Sequence, residues 1–271
     1  MNPADLAARI QSTGSFLCIG LDTDPQRLPK HLLDHDDPVF EFNRKIIEAT
    51  SDLAVAYKPN LAFYEAQGPA GWESLRKTLE VIPEGIMTIA DAKRGDIGNT
   101  SRLYARAFFE TLGFDAVTVA PYMGYDSVAP FLEYEGKWVF LLALTSNPSA
   151  EDFQWHREEG MPLYEKVVRK GESWAKDLPG HLGYVTGATR PEYIGGIRAL
   201  APKAFFLVPG VGAQGGDLQA VAEQGLNDQT GLLINSSRGI IYASEGEDFD
   251  VAARTKAQAL VDQMKPLLQG S

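Results

Sequence analysis

The sequence predicts a single closed (β/α)8 barrel, the TIM-barrel class, on three observations. Short apolar runs alternate with helical stretches, and eight such runs can be traced. The chain has 271 residues, close to the roughly 250 over which such a barrel folds as one domain.

The runs, in order, are Phe16–Asp22, Ala54–Asn60, Met87–Lys93, Ala116–Pro121, Val139–Ser146, Leu182–Gly187, Ala204–Gly210 and Gly231–Ser237. Each is largely apolar and bounded by Gly, Pro or polar residues, the pattern of a strand buried on both faces. Between them, Phe40 to Thr50 sets Phe40 and Ile47 near one helical face, and Thr100 to Leu112 and Pro162 to Trp174 behave similarly. Thr189 and Glu192 have the T-x-x-E spacing of a capping box, opening a stretch that ends near Leu200. A last helix is expected from about Asp248 to Leu268. Eight alternations favour a closed barrel over an open doubly wound sheet. Residues 1–271 are therefore expected to form one domain. The polar, irregular segment 147–161 (NPSAEDFQWHREEGM) after the fifth run is expected to be a lid or decoration.

Hydrophobic residues make up 44% and charged residues 23% of the chain, an ordinary globular balance. The formal net charge of −11 repels nucleic acid and anionic membranes, so neither is an expected partner. A single phosphate can still bind where a few cations and backbone N–H groups gather. The one cysteine, Cys18, lies within Phe16-Leu17-Cys18-Ile19 with no His nearby in sequence, and reads as a small buried residue. Met1 to Gln11 lacks a signal-peptide pattern, and no run approaches the roughly 18 apolar residues of a membrane span. A cytoplasmic location is expected.

Active sites of such barrels lie at the C-terminal strand ends. Here those ends deliver Asp22, then Lys58-Pro59-Asn60, Asp91-Ala92-Lys93-Arg94-Gly95-Asp96, Thr145-Ser146, Pro209-Gly210-Val211-Gly212 and Ser236-Ser237-Arg238-Gly239. Asp91 and Lys93 are two apart on a strand and are expected on one face. Beside Lys58 and Asp22 in the barrel mouth they must alternate in sign, because unpaired buried charges are very costly. His31, His35, His156 and His181 form no ligand constellation, so no metal site is expected. Gly210, Gly212 and Gly215 match G-x-G-x-x-G, but at the seventh strand and with no ribose-binding acid after the next. Barrels commonly grip phosphate with the loops after strands seven and eight. One phosphate is expected here, held by Gly210, Gly212, Gln214 and Arg238.

The run Asp91 to Thr100 (DAKRGDIGNT) resembles the D-x-K-x-x-D-I-x-x-T signature of orotidine 5′-phosphate decarboxylases, and in particular their longer bacterial branch, type 2. Gly20-Leu21-Asp22, Lys58-Pro59-Asn60, Leu144 to Pro148 (LTSNP), Val208 to Asp217 (VPGVGAQGGD) and Asn235 to Ile240 (NSSRGI) agree in order and location. The resemblance covers nearly the whole chain. It implies decarboxylation of orotidine 5′-phosphate to UMP without a cofactor. It also implies that Lys93 protonates C6, with Asp91, Asp96 and Lys58 completing the charge network. Asp22 and Lys58 would hold ribose hydroxyls and Ser146 the pyrimidine. Asp96 and Thr100 would reach the neighbouring subunit's site, which implies a homodimer with shared active sites.

Those residue types suit the reaction. Loss of CO2 leaves negative charge at C6, and a fixed ammonium both favours that charge and supplies the proton. The alternatives are a Mg²⁺-dependent sugar-phosphate decarboxylase or an aldolase of the same barrel group. The Mg²⁺ sites use an added acidic ligand at the second strand end, where this chain has Lys58. An aldolase would form a Schiff base on Lys93 or Lys58.

Overall fold

The computed structural model describes residues 1–211 and 216–269. Eight parallel strands close on themselves: β1 (Leu17–Leu21), β2 (Ala56–Pro59), β3 (Met87–Arg94), β4 (Ala116–Val119), β5 (Trp138–Leu144), β6 (His181–Thr186), β7 (Phe206–Pro209) and β8 (Leu232–Ser236). Each strand pairs with its sequence neighbours, and β1 pairs with both β2 and β8. The (β/α)8 expectation therefore holds, and every expected run contains or overlaps one of these strands. Residues of β1, β2, β4 and β8 are buried throughout, which is why these strands read as largely apolar runs rather than alternating ones.

Helices cover the barrel. Pro38–Thr50 and Phe249–Gln269 pack together through Phe42 and Phe249, whose rings stack at 4.9 Å. Pro3–Thr13, ahead of the first strand, begins in a reciprocal capping box between Asn2 and Asp5. Trp138, the first residue of β5, donates its indole N–H to Met1 O at 2.7 Å. The helix expected at 100–112 runs Gly98–Arg106 and continues as one wider turn, Ala107–Thr111. Leu163–Ala175 lies where Pro162 to Trp174 was expected.

The Thr189–Glu192 capping box does not form. The helix begins at Glu192 behind Pro191, already helical at φ −60°, and no side chain caps it. Proline pre-sets the first turn, so Glu192 falls at the helix start instead of one turn inside it.

Segment 147–161 folds down onto the barrel rim. It contains a 3-10 turn, Pro148–Asp152, and a short hairpin pairing Arg157–Glu158 with Met161–Pro162. The Gln154 carboxamide oxygen accepts from Thr145 N and its NH2 donates to Thr145 Oγ1, both at 2.8 Å. Trp155 meets Tyr193 edge-on at 4.5 Å. The segment thus clasps the residue that precedes Ser146.

Candidate active site

Four charges alternate across the mouth of the barrel. Asp22 follows β1, which can run close to the loop after β8 only because residue 20 is glycine: a Cβ there would lie 1.8 Å from Ser237 Oγ. Lys58 rises from β2, with its Nζ 2.6 Å from Asp91 Oδ2 and 3.9 Å from Asp22 Oδ1. Lys93 Nζ donates to the other Asp91 oxygen, Oδ1. The Lys58 side chain is 5% exposed and Asp91 10%, whereas Lys93 is 50% exposed. The inner pair is locked, and the outer ammonium can reach a ligand.

Asp91 and Lys93 do meet, but not through simple strand alternation. The pairing of β3 with β4 shifts register between Ala90 and Arg94, and Lys93 has φ +48°. Backbone in this left-handed region is uncommon for a residue with a side chain, and such strain collects at functional sites.

Burial and charge oppose each other within the cluster. Burial by itself would raise the Asp91 carboxyl; the Lys58 and Lys93 ammoniums overcome it and hold its pKa at about 2. Burial would likewise discharge Lys58, but Asp91 and Asp22 keep its pKa above the ordinary value. Cys18 beneath them is pushed up to about 12 by burial, so its thiol stays protonated. The small-core-residue reading of Cys18 holds, since it is fully buried.

A cavity of about 130 Å³ joins Asp22, Lys58 and Asp91 to Gly210 and Arg238. Of the expected phosphate ligands, Gly210 (φ +99°) and Arg238 therefore adjoin the charge cluster, while Gly212 and Gln214 lie outside the described residues. Ser146 lines a second cavity of about 330 Å³, bounded also by Thr189 and Arg190. Its buried Oγ has no hydrogen-bond partner, and neither does Asp22 Oδ1. Buried polar atoms without hydrogen bonds are rare in folded proteins; Ser146 lines the larger cavity and Asp22 the smaller, where Asp22 Oδ1 keeps only its 3.9 Å approach to Lys58 Nζ. A Cβ at Gly187 would come within 2.2 Å of Ser146 Oγ, so this glycine keeps the Ser146 pocket open.

Asp96 and Thr100 join neither cavity. Asp96 accepts a hydrogen bond from the next backbone N–H, Ile97 N, at 2.7 Å, and Thr100 is exposed on the following helix. Thr118 went unnoticed in the sequence, and Asn235 figured only within NSSRGI, without a role of its own. Thr118 Oγ1 lies 3.2 Å from Asp91 Oδ1, and Asn235 joins the wall of the smaller cavity. A polar residue inside the otherwise apolar run Ala116–Pro121 was the available signal for Thr118.

A closed barrel whose strand ends gather a buried Lys–Asp pair, an exposed lysine and a cavity lined by glycine and arginine defines a small-molecule enzyme of the (β/α)8 class. The chain belongs to the orotidine 5′-phosphate decarboxylase / HUMPS family, whose model matches residues 15–254. It is 53% identical over 273 aligned residues to the orotidine 5′-phosphate decarboxylase of Bacteroides fragilis, covering 99% of each chain. Against that of Christiangramia forsetii it is 54% identical over 273 residues, again covering 99% of each. Among solved structures, the Leishmania donovani OMP decarboxylase superposes with a TM-score of 0.85 at 37% identity, covering 98% of this chain and 99% of that one.

Proposed function

We propose that this chain decarboxylates orotidine 5′-phosphate to UMP, the last step of de novo UMP synthesis, with neither metal nor organic cofactor. The observation that carries the reading is the Lys58–Asp91–Lys93 arrangement, with its outer ammonium half exposed above a locked inner pair. The C6–carboxylate bond breaks, its electron pair stays on C6, and CO2 departs. The Lys93 ammonium attracts the developing charge and transfers a proton to C6, then regains one from water. Asp91, held ionised, keeps Lys93 charged and aimed, and lies beside the substrate carboxylate. Lys58 and Asp22 hold the ribose hydroxyls, and Ser146 contacts the pyrimidine. Gly210, Gly212, Gln214 and Arg238 hold the phosphate.

Lys58 also speaks against the Mg²⁺-dependent alternative. Its ammonium stands between Asp22 and Asp91, where a divalent cation would be repelled. No helix among the described residues is long and apolar enough to cross a membrane, and the free, buried Cys18 suits a reducing cytoplasm.

The active unit is a homodimer with shared sites. Asp96 and Thr100 lie outside their own cavities, in a stretch that also carries exposed Ile97 and Leu103, and the loop after β4, which brings Met123 beside Gly95, exposes Tyr122, Met123 and Tyr125. Such a patch of large apolar side chains is what an interface between subunits covers. Asp96 of each chain then completes the charge network around the other chain's Lys93.

The test is consumption of orotidine 5′-phosphate followed by absorbance after exhaustive chelation. The expected result is an unchanged rate for the native chain and a loss of several orders of magnitude for Lys93→Ala, the scale of a preorganised catalytic charge. Activity of Lys93→Ala within about tenfold of native, or activity lost on chelation and restored by Mg²⁺, would overturn the reading.

A further inference from the structure

We infer that Thr118 is a positioning residue for Lys93, acting through a single hydroxyl that holds both the lysine's backbone and its carboxylate partner. Between the pairs Ala90↔Val117 and Arg94↔Val119, the β3–β4 ladder loses register. Three residues of β3, Asp91, Ala92 and Lys93, there face one residue of β4, Thr118. The N–H groups of Ala92 and Lys93 both donate to Thr118 Oγ1, at 3.0 and 2.8 Å. The same hydroxyl donates its hydrogen to Asp91 Oδ1 at 3.2 Å. A threonine hydroxyl offers one donor and two acceptor sites, so all of its capacity is committed here. Thr118 is 1% exposed, so water has little access to replace it.

The positions of these bonds give the hydroxyl its role. Asp91 Oδ1 is also the oxygen that receives Lys93 Nζ. Thr118 therefore grips Lys93 at two points: its amide, where φ is +48°, and the carboxylate that aims its ammonium. A bulge lets a strand re-aim a side chain next to an active site. The left-handed turn persists only if the surroundings hold it. Without the hydroxyl, two amide donors lose their acceptor, the bulge relaxes towards a regular ladder, and the half-exposed lysine is freed to wander. Asp22 and Arg238, the proposed ribose and phosphate ligands, take no part in these bonds. The loss should therefore fall on the chemical step and not on binding.

This inference rests on Lys93 being the proton donor, so Lys93→Ala is run alongside it. Thr118→Val keeps the shape and removes the hydroxyl, Thr118→Ala removes the hydroxyl and the methyl from a site that water scarcely reaches, and Thr118→Ser retains the hydroxyl. The measurements are kcat and KM for orotidine 5′-phosphate, the UMP dissociation constant and the melting temperature. For Thr118→Val, kcat should fall by about 10- to 100-fold, the cost of a misplaced catalytic group. KM and the UMP constant should stay within about threefold, as they report uniform binding. Thr118→Ser should recover kcat to within about threefold of native, since the hydroxyl is restored. Should Thr118→Val not fold, Thr118→Ala is read by the same criteria; should neither fold, a loss of kcat beyond about tenfold in Thr118→Ser would count against the role.

An inactive Lys93→Ala with near-native kcat in Thr118→Val overturns the role of Thr118 alone. Thr118→Ser as impaired as Thr118→Val, or KM and UMP binding falling in step with kcat, would do so too. An active Lys93→Ala overturns the proton-donor reading instead.

Discussion

Replacing Lys58 by Met removes a buried charge while keeping an unbranched stem, and it tests whether the inner ion pair holds Asp91 ionised. In the native chain the Asp91 carboxyl lies at about 2 instead of 3.8. At about 1.4 kcal/mol per pH unit, that difference stabilises the folded chain by about 2–3 kcal/mol at neutral pH. Because the folded value is below the unfolded one, this contribution is complete above pH 3.8 and is lost as pH falls through about 2. In Lys58→Met, burial of Asp91 remains and only Lys93 opposes it, so the carboxyl titrates higher than in the native chain. Leaving a buried charge short of a partner costs about 3–5 kcal/mol when the loss is complete. With Lys93 still present, a deficit of about 3 kcal/mol at pH 7 is expected. The variant takes up its proton at a pH where native Asp91 remains ionised. Its deficit therefore narrows as the solution is acidified. Urea unfolding followed by tryptophan fluorescence, at steps from about pH 7.5 to 2.5, measures it, with the urea dependence checked for each chain. A deficit below about 1 kcal/mol at pH 7, the range of an exposed pair, would refute the reasoning, as would one that does not change with pH.

Two further predictions concern the phosphate and the subunit pairing. Arg238→Ala should lower kcat/KM for orotidine 5′-phosphate by roughly two to four orders of magnitude, because binding energy at a remote phosphate lowers the barrier at the reacting carbon. It should leave the slow reaction of the dephosphorylated nucleoside nearly unchanged; equal losses on both substrates would show that Arg238 does not act through phosphate. Lys93→Ala and Asp96→Ala homodimers should each be nearly inactive. Co-folded, they should recover about a quarter of native sites, since about half of a random mixture is heterodimer and each heterodimer has one intact site under two-fold symmetry. No recovery, with subunit exchange verified by mass, would place Asp96 in its own chain's site.

Much of this protein was legible one residue at a time. Strands buried on both faces are largely apolar, so the runs around Cys18, Tyr57, Val117 and Ile234 announced themselves without partners. The D-x-K-x-x-D spacing, Lys58 after one apolar run and Arg238 after another named the charges, because topology carries strand C-terminal ends to one face of a barrel. Where local rules were pressed further they failed. The T-x-x-E spacing at Thr189 was overridden by Pro191, which starts the helix itself.

What the linear sequence determined by itself was the barrel class, its strand ends and the identity of the charged residues delivered there. Those follow from burial pattern and residue order, which are local properties. Only the tertiary structure decided how the charges meet. It set Lys58 between Asp22 and Asp91 and left Lys93 half exposed. It also kept the unpartnered Ser146 Oγ in its own cavity. Strand alternation alone would have turned Asp91 and Lys93 to the same inward face. Instead the β3–β4 ladder slips by the residues that Thr118 gathers onto its hydroxyl. A register shift is a relation between two strands 25 or more residues apart, so neither strand's own sequence encodes it. Lys93 takes up its left-handed backbone because a neighbouring strand offers its amide an acceptor there.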